Sequence, residues 1–426
     1  MNIVVIGSGG REHAIIQKLS ESPACTALYA LPGNAGMQAL ATCVPIAATD
    51  VPAAVAWCRG NSIDYVVVTP DDPLALGMVD ALAEAGIPAF GPGRAAARIE
   101  ASKAFAKQLM QKYHIPTAAF AVFDDMPAAL SFLPGQAYPL VVKADGLALG
   151  KGVLICETEA EAEVAVRGMM EEGAFGDSGR RVVIEEFLTG PEVSVLAFCD
   201  GERVVPMVSS MDHKRALDGD KGPNTGGMGC IAPNPYYTPD VAAQCMESIF
   251  LPTLRAMAAE GAPFKGCLYF GLMLTPGGPR VIEYNCRFGD PETQAVLPLL
   301  QSDLPAVMQA CTGGRLTADM VRFADGAAAC VVLASGGYPG SYKTGFAIPT
   351  PGDIPAGAAV YYAGVKAGET GGLVTAGGRV LNAVATAPSL SEALAKAYSL
   401  AEQLRFAGAH MRGDIGQSAL RAPANH

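Results

Sequence analysis

The sequence predicts a multidomain protein of the α/β and α+β classes, with an N-terminal parallel α/β domain and a small C-terminal α/β domain. Its 426 residues exceed one compact core, and at roughly 100–200 residues per domain they suggest two to four domains. Residues 1–100 alternate short apolar strands with helical stretches, which is the order typical of a parallel sheet with crossover helices. The pattern of predicted strands, helices and turns changes after Pro116, at Glu192 and near Gly326, and these positions mark where the later parts begin.

The predicted elements follow in chain order. The first part has strands at Ile3–Ile6, Ala27–Ala30, Tyr65–Thr69 and Ala89–Phe90, and then a helix over Glu100–His114 that Ile115-Pro116 ends. The second part has strands near Leu140–Lys143, Val153–Cys156 and Val182–Phe187. A strand-rich part over Glu192–Cys286 is interrupted by a long loop at Asp212–Pro235. The last part has strands at Ala328–Ala334, Val360–Ala363 and Val380–Thr386, and a helix at Ser391–Leu404.

Composition and charge exclude several classes of function. Half of the residues are hydrophobic, which is a globular composition, and the net charge of −11 argues against a nucleic-acid surface. No apolar run approaches the ~18 residues that span a bilayer, and the N-terminus has no secretory pattern. Eleven scattered cysteines without a C-x-x-C pair predict buried thiols rather than a zinc or disulfide framework. We therefore expect a cytoplasmic protein with no nucleic-acid or membrane partner.

A glycine-rich turn, Gly7-Ser8-Gly9-Gly10-Arg11-Glu12-His13, follows the first strand. Such a turn lets backbone N–H groups and a helix N-terminus approach a phosphate. A nicotinamide oxidoreductase is one interpretation, but Glu12 replaces the third glycine of G-x-G-x-x-G and no acid follows the second strand. The pattern favours a phosphate held by Gly9, Gly10 and Arg11, with Asn34 and Gly36 across the crevice. A tight turn without a ligand remains the alternative.

A second glycine-rich segment follows the strand that ends at Lys143, with glycines at 146, 150 and 152 before the return strand. Such a hairpin can fold over a triphosphate, and Lys143 and Lys151 would offset its charge. The segment is not a P-loop, which would begin a helix. Lys103 on the preceding helix is either a further phosphate cation or a solvated lysine, and the hairpin itself could lack a ligand.

The connector between the strands at Val182–Phe187 and from Glu192 can pair with an adenine through its backbone, while Glu192 takes the ribose hydroxyls. This signal is weak by itself, because acids are common at strand edges.

The stretch Arg280–Glu292 is the most informative one. Strand alternation points Glu283, Asn285 and Arg287 to one face. Carboxylate and amide oxygens suit Mg²⁺, and an arginine beside them can stabilise a transferring phosphoryl group. The alternative is a solvated face with a Glu–Arg pair.

The segment Asp212–Gly229 mixes charges of both signs with glycines, and long loops in compact domains are usually functional or mobile. His213 within it is not required as a catalytic base, because no nucleophile with an orienting partner accompanies it.

Taken together, the strings resemble the phosphoribosylamine–glycine ligase (glycinamide ribonucleotide synthetase) family of the ATP-grasp superfamily over essentially the whole chain. In the family's order and spacing they are GSGGREHA, LPGNAG, SKAFAK, VVKADGLALGKGV, DHKRALDGDKGPNTGGMG, EYNCRFGDPETQ and GGRVL. The resemblance implies a substrate-binding domain at 1–101, an ATP-grasp body at 102–123 and 193–325, a lid at 124–192, and a C-terminal domain at 326–426. It also implies that ATP, glycine and 5-phosphoribosylamine give glycinamide ribonucleotide, ADP and phosphate through glycyl phosphate, with closure of the 146–152 loop excluding water. Mg²⁺ or Mn²⁺ is the implied cofactor.

The residues that carry these implied roles fall into four groups. The catalytic residues are Arg287, Lys214 and Asp212. The ATP-binding residues are Lys103, Lys143, Gly150, Lys151, Gly152, Glu185, Glu186, Leu188 and Glu192. The substrate-binding residues are Gly9, Gly10, Arg11, Asn34, Gly36, Asp71, Arg215, Asp290 and Glu292, of which Asp290 and Glu292 are candidates for the ammonium group of glycine. The metal ligands are Glu283 and Asn285.

The sequence departs from the family pattern at three places. A Gly-Pro-Glu string is Thr69-Pro70-Asp71-Asp72 here, so the ribose contact passes to Asp71 or Asp72. A His-Ala-Gly string begins with Tyr362, and one arginine of Arg-Arg-Asp-Ile-Gly is Gly413; both changes bear on domain packing and the phosphate rim. Another ATP-grasp ligase with a different acid or amine, or a nucleotide-binding regulator without turnover, remains an alternative, and we expect a monomer.

Overall fold

The computed structural model describes residues 1–147, 152–171 and 179–422. The first 101 residues form a parallel sheet of order β3-β2-β1-β4-β5 with helices between the strands, which confirms the predicted parallel α/β domain. Its strands are β1 Asn2–Gly7, β2 Ala27–Pro32, β3 Thr42–Cys43, β4 Tyr65–Val68 and β5 Ala89–Phe90. Its helices are α1 Gly10–Ser20, α2 Val51–Gly60, α3 Asp71–Ala75, α4 Met78–Glu84 and α5 Arg94–Ala101, with a 3₁₀ turn at Ala35–Met37.

The strand order of this first sheet creates a crevice. Strands β1 and β4 are neighbours, and the chain runs from β1 towards β2 on one side and from β4 towards β5 on the other. Ligands of open parallel sheets bind at the carboxyl ends of strands that meet in this way. The turn after β1, at Gly7–Gly9, and the turn after β4, at Thr69–Asp71, therefore lie at the same functional edge.

The helix predicted over Glu100–His114 is wrong at its N-terminal end. Ser102 has an extended backbone and separates α5 from α6, which spans Lys103–Lys112. The Ser102 hydroxyl accepts a hydrogen bond from the N–H of Phe105 at 3.1 Å, and serine is among the preferred N-cap residues. Glu100 consequently belongs to the last turn of α5.

The next part of the chain is a four-stranded antiparallel sheet of order β6-β9-β7-β8, packed against two helices. Its elements are β6 Phe120–Phe123, α7 Met126–Phe132, β7 Leu140–Ala144, β8 Val153–Cys156, α8 Glu159–Met170 and β9 Val182–Glu186. This sheet has a small core of its own. The core includes Ala129 of α7, Leu133 directly after it, and Val166 and Met169 of α8. The strands predicted in this part are confirmed.

The central part contains the antiparallel sheet β11-β10-β16-β17 and helices that cover it. The strands are β10 Glu192–Asp200, β11 Val204–Pro206, β12 Met211–Asp212, β13 Arg215–Leu217, β14 Lys221–Asn224, β15 Gly229–Ala232, β16 Lys265–Thr275 and β17 Gly278–Asn285. The helices are α9 Pro239–Cys245, a π-helical turn at Met246–Phe250, α10 Leu251–Ala259, α11 Glu292–Val296 and α12 Leu304–Thr312. Further 3₁₀ turns lie at Leu297–Leu299 and Ala318–Met320.

The last part of the chain forms a sheet that combines its own strands with two strands of the central part. Its elements are β18 Ala327–Ser335, β19 Ala358–Tyr362, β20 Val365–Ala367, β21 Leu373–Thr375, β22 Arg379–Ala387, α13 Leu390–Gln403, β23 Ala409–His410 and α14 Gln417–Leu420. The sheet order is β12-β15-β18-β22-β19, and β23 also pairs with β18. The prediction of an unbroken loop over Asp212–Pro235 is therefore wrong. Strands β12 and β15 join the C-terminal sheet, and β13 and β14 pair as a hairpin between them.

Two expectations from composition can be compared with the structure. All eleven cysteines are free thiols; only Cys25 and Cys43 are partly exposed and the others are buried, as predicted. Within the described ranges, no helix has the length and apolar character required to cross a membrane.

Candidate active site

A cavity of about 1000 Å³ lies where the four parts meet. Its walls come from α6, β7, the connector after β9, the end of β17 and the segment Asp212–Gly229, here called the 212–229 loop. The N-terminal domain adds Arg11 and Asp71, and the C-terminal domain adds Tyr338 and Arg379. Most of the side chains proposed from the sequence are therefore brought to one place.

Three lysines line one wall of this cavity. Lys107 and Lys143 each place Nζ 2.9 Å from the same Glu185 Oε2, and Lys103 donates to the carbonyl of Gly146 at 2.7 Å. Burial lowers the pKa of Lys107 to about 8; the charge of Glu185 opposes this and that of Lys143 adds to it. The wall keeps an excess of positive charge, as a polyphosphate site requires. Lys107 was missed from the sequence, although it lies four residues after Lys103 on the same helix face.

The connector after β9 lies along the cavity and offers mainly backbone. The Glu186 carboxylate accepts from the Ala119 N–H at 3.2 Å and pairs with Arg280 at 3.5 Å, so its side chain is already engaged. Leu188 lines the cavity next to it. Glu185 keeps its buried Oε1 without a hydrogen-bond partner in the described part of the chain.

Glu283 and Asn285 at the end of β17 both line the cavity, as the strand alternation predicted. Lys214 Nζ lies 3.6 Å from Glu283 Oε1 and 3.1 Å from a carboxylate oxygen of Glu192. Burial acts to raise the pKa of Glu283, but the charge of Lys214, followed by those of Lys143 and Lys103, holds it below its ordinary value. An anionic carboxylate and an amide oxygen on one strand fit a hard divalent cation.

Arg287 also lines the cavity and is held by a buried acid. Its Nη2 lies 3.0 Å from Glu100 Oε1 and donates to Asn285 Oδ1 at 3.3 Å, while Nη1 donates to the carbonyl of Phe288. The other Glu100 oxygen accepts from the Cys286 N–H at 2.7 Å. The buried Nε of Arg287 has no partner within the described residues, so one donor stays available to a ligand. Glu100 was missed because its partners lie far along the chain.

Two acids from different elements also line the cavity, Asp212 of β12 and Glu292 of α11. Asp212 Oδ1 is buried and unpaired with respect to every described group, and Glu292 Oε1 accepts from the Ser194 hydroxyl at 3.3 Å. Ser194 in turn shares a hydrogen bond with the Tyr269 hydroxyl at 2.9 Å. Burial and then the charge of Glu292 raise the pKa of Asp212 well above its ordinary range. This carboxyl group is therefore more basic than an exposed aspartate.

His213, next to Asp212, is a structural residue in this arrangement. Its Nδ1 faces the carbonyl of Gly229 at 3.3 Å, and its Nε2 accepts from the Gly416 N–H at 3.0 Å. Both ring nitrogens are thus engaged with backbone, in agreement with the interpretation that it is not a catalytic base.

Asp290 faces the cavity in contact with Arg379 of the C-terminal domain. Arg379 Nη1 lies 3.3 Å from Asp290 Oδ1 and donates to the carbonyl of Gly226 at 2.8 Å. Burial acts to raise the pKa of Asp290, but Arg379 and then Arg11 hold it below its ordinary value. Arg379 lies in the GGRVL string, to which the sequence assigned no site role.

The glycine-rich turn after β1 is partly satisfied by its own side chains. The Gly9 N–H donates to Glu12 Oε2 at 2.6 Å, and the other Glu12 oxygen pairs with Arg11 Nε at 2.6 Å. The Gly9 N–H is thus already engaged by this carboxylate and is not free to donate to a phosphate or a dinucleotide pyrophosphate. Arg11 Nη1 donates to the carbonyl of Phe288 at 2.9 Å and faces the cavity beside Asp71.

Three other predicted phosphate ligands lie against the C-terminal domain and are not among the described residues that line the cavity. A Cβ on Gly10 would lie 2.3 Å from Asn382 Nδ2, and one on Gly36 would lie 2.3 Å from the ring of Tyr362. Asn34 donates to the Tyr362 carbonyl at 3.0 Å and accepts from the Gly36 N–H at 2.8 Å. The departure at Tyr362 therefore falls on a domain contact.

The hairpin of β7 and β8, predicted to be part of a lid, is described only in part. Gly152 is buried and lines the cavity together with Gly146. Gly150 and Lys151 lie outside the described residues. Arg215 lines the cavity and donates through Nη1 to the carbonyl of Gly222 at 2.9 Å, within the β13–β14 hairpin.

Comparison with known proteins gives full-length matches. Residues 1–100, 101–293 and 328–418 match the family models described as the N, ATP-grasp (A) and C domains of phosphoribosylglycinamide synthetase. The chain is 47% identical over 424 residues to a phosphoribosylamine–glycine ligase of Vibrio vulnificus, with 99% of each chain covered. It is 45% identical over 429 residues to that of Salmonella typhi, with 100% of each covered.

Solved structures give the same result for the fold. The crystal structure of a phosphoribosylamine–glycine ligase from Thermotoga maritima superposes with a TM-score of 0.85 at 34% identity, covering 97% of this chain and 100% of that one. A biotin carboxylase of Campylobacter jejuni superposes with a TM-score of 0.76 at 16% identity, covering 99% and 95%, which shows a shared fold alone.

Proposed function

The chain belongs to the phosphoribosylglycinamide synthetase family, and from that premise we propose how its central cavity works. It is an ATP-dependent carbon–nitrogen ligase of purine biosynthesis that joins glycine to 5-phosphoribosylamine, giving glycinamide ribonucleotide, ADP and phosphate. One observation carries the proposal: a lysine-rich wall, a strand with carboxylate and amide oxygens, and Arg11 and Asp71 of the N-terminal domain face a single cavity of about 1000 Å³. Such a cavity can hold three small substrates side by side.

ATP occupies the side of the cavity lined by α6, β7 and the connector. Lys103, Lys107 and Lys143 offset the phosphate charge, and the connector backbone at Glu186 and Leu188 pairs with adenine. The unpartnered Oε1 of Glu185 supports this placement, because a buried acceptor beside a backbone edge suits an amino group. Glu192 takes the ribose hydroxyls, and Gly152, together with Gly150 and Lys151 as the sequence predicts, binds the phosphates.

Glu283 and Asn285 would hold a divalent cation, Mg²⁺ or Mn²⁺. That cation would supply positive charge to offset the charge of the ATP phosphates. Lys214 Nζ stands 3.6 Å from Glu283 Oε1, so the carboxylate already faces a positive charge. The lowered pKa of Glu283 keeps the carboxylate ionised and ready to bind.

Glycine is activated next to this strand. One oxygen of its carboxylate attacks the γ-phosphorus of ATP, the bond from that phosphorus to the bridging oxygen breaks, and ADP leaves glycyl phosphate behind. The unpartnered Nε of Arg287 can donate to the oxygens that gain charge. Asp290 and Glu292 face the same space with carboxylates that suit the glycine ammonium group.

The amine nitrogen of 5-phosphoribosylamine then attacks the carbonyl carbon of glycyl phosphate, the carbon–oxygen bond to phosphate breaks, and the nitrogen loses one proton. Asp212 can accept that proton on Oδ1, because its raised pKa makes it a stronger base than an exposed aspartate. Arg11, Asp71 and Arg215 hold the phosphorylated sugar.

The glycines at 9, 10 and 36 and Asn34 shape the neighbouring edge of this subsite. We further propose that the enzyme works as a monomer in the cytoplasm and that the parts 1–101, 102–123 with 193–325, 124–192 and 326–426 act as its domains. The buried free thiols support a reducing compartment.

A substrate-omission experiment tests the proposed function. ADP release is measured with ATP and Mg²⁺ while glycine is replaced by a panel of amino acids and phosphoribosylamine is generated in situ or omitted. We expect ADP release that depends on glycine and on the ribosylamine together. Equal ADP release without the ribosylamine would contradict the assignment.

A further inference from the structure

The 212–229 loop carries cavity residues, yet the groups that hold it lie almost two hundred residues away, in the segment His410–Gly416. The loop projects from the strands β12 and β15 and presents Lys214 and Arg215 to the cavity. Within this segment, which is described in full, only the short strands β13 and β14 pair with each other, and an isolated two-stranded hairpin is marginally stable, so its cavity residues need an external anchor.

Arg412 is the centre of that anchor. Its side chain is only 1% exposed, and Nε and Nη2 donate to the two oxygens of Asp414 at 2.7 and 2.8 Å. Nη1 donates to Asp220 Oδ1 at 2.8 Å and to the carbonyl of Arg215 at 3.2 Å. The planar guanidinium thus links the tip of the loop, and the backbone of a cavity residue, to the C-terminal domain.

Hydrogen bonds around Arg412 extend the anchor along the β13–β14 hairpin. The Gly219 N–H donates to Asp414 Oδ2 and the Gly413 N–H donates to Asp218 Oδ1, each at 2.8 Å. His410 Nε2 lies 2.7 Å from the carbonyl of Ala216. A Cβ on Gly413 would lie 3.2 Å from Asp218 Oδ2, so the departure from the family pattern at this position leaves room for the loop.

We propose that Arg412 is a positioning residue for the ribosylamine subsite, acting through the 212–229 loop and not by contact with substrate. This inference rests on the proposed function, which places the phosphorylated sugar beside Arg215. Asp414 keeps the guanidinium oriented, and Asp220 is the contact on the loop. Loss of the anchor leaves the lysines of the ATP wall in place, because they belong to α6 and β7.

The test compares four variants of the full-length enzyme. Arg412→Met removes the charge and nearly keeps the volume, and Arg412→Lys keeps the charge without the planar fork. Asp220→Asn changes the loop side of the pair at a residue that also lines the cavity, so its effect on kcat/KM is read together with the cleavage at Lys221. Asp220 is 72% exposed, so its substitution leaves the core intact. Arg405→Met is the matched control, because Arg405 pairs at the surface of the same domain with Glu402 at 3.3 Å.

We expect Arg412→Met to lower kcat/KM for phosphoribosylamine by at least about tenfold, which is typical of a mispositioned binding group, and to change the KM for ATP by less than about threefold. Asp220→Asn should show a smaller effect of the same kind, Arg412→Lys should restore part of the activity, and Arg405→Met should behave as wild type. Tryptic cleavage at Lys221, measured on the folded proteins and divided by the rate for the same variant when unfolded, should become faster in Arg412→Met and Asp220→Asn.

The proposal is overturned if Asp220→Asn leaves both kcat/KM for phosphoribosylamine and the rate of cleavage at Lys221 unchanged, even where Arg412→Met fails to fold. It is also overturned if all KM values and the melting temperature change together in Arg412→Met, since that pattern indicates a general structural role. Failure of the proposed function would appear separately, as wild-type enzyme that lacks ribosylamine-dependent ADP release. The proteolysis result would still report on the anchor.

Discussion

Replacing Lys143 by methionine removes one charge from the ATP wall while keeping the length of the side chain. The structure allows its two effects to be separated. The change removes the 2.9 Å ion pair of Lys143 with Glu185 and its hydrogen bond to the Ile282 carbonyl at 3.2 Å, but Lys107 stays 2.9 Å from Glu185 Oε2, so the acid keeps one partner. The free energy of unfolding should fall by about 1–2 kcal/mol, below the ~3–5 kcal/mol of an orphaned buried charge.

The effect of this change on ATP should be larger. A unit charge about 4 Å from a phosphate oxygen contributes roughly 4 kcal/mol at an effective dielectric constant of about 20. Glu185 pairs with both Lys107 and Lys143 and so neutralises part of the charge of Lys143. We therefore expect the loss of binding free energy to be about half of this value, ~2 kcal/mol, which is about a 30-fold increase in the KM for ATP. The KM for glycine should change little.

The assay is coupled ADP release at saturating glycine and phosphoribosylamine, with Lys366→Met as the control because Lys366 is exposed in the C-terminal domain. Thermal unfolding of both variants reports stability separately. A KM for ATP within about threefold of wild type, equivalent to under ~0.7 kcal/mol, would refute the placement of the phosphates at this wall.

Three further predictions concern Glu283, Lys107 and His13. Glu283→Gln should raise the Mg²⁺ concentration for half-maximal ADP release by at least about tenfold and lower turnover sharply. The control Glu247→Gln, at an exposed residue, should change neither quantity. An unchanged Mg²⁺ titration in Glu283→Gln would contradict the assignment of Glu283 as a metal ligand. Lys107 must be protonated to bind phosphate, and burial lowers its pKa to about 8, so kcat/KM for ATP should fall above about pH 8. Because the charge of Lys143 adds to this lowering, the fall in Lys143→Met should begin at higher pH. The same pH profile in wild type and Lys143→Met would argue against a role of Lys107 in binding phosphate. Burial lowers the pKa of His13 to about 4, so unfolding takes up a proton below about pH 6.5. The free energy of unfolding should therefore fall by up to ~3 kcal/mol as the pH drops from about 6.5 towards about 4. His13→Gln should lose less melting temperature than wild type between about pH 7.5 and about pH 5, and equal losses would refute the contribution of His13 to this pH dependence.

Local sequence patterns were sufficient for most of the longer strands, including the one that ends at Asn285, but not for the short strands β12 to β15. The alternation at Glu283 and Asn285 needs only the two-residue period of a strand, and both side chains line the cavity. The break at Ser102 was also locally encoded, because serine before a helical run is a common N-cap signal. The predicted helix overlooked it and extended across Glu100.

Pairings between distant residues could not be predicted in this way. Glu100 meets the backbone of Cys286 across 186 positions, and Arg412 meets Asp220 across 192. Such pairs depend on how separate domains pack, and a single sequence contains no signal for that packing. Glycines are ambiguous for a related reason, since Gly36 would be needed equally for a ligand or for its close approach to the ring of Tyr362.

The transfer of oxygen from glycine tests the central claim most directly. In the proposed reaction a carboxylate oxygen of glycine bonds to the γ-phosphorus and leaves with phosphate. Glycine labelled with ¹⁸O in both carboxylate positions is converted in the presence of ATP, Mg²⁺ and phosphoribosylamine, and the released phosphate is analysed by mass spectrometry. We predict one ¹⁸O atom in each phosphate formed by the ligation. Phosphate without ¹⁸O, released together with glycinamide ribonucleotide, would contradict activation of glycine as an acyl phosphate.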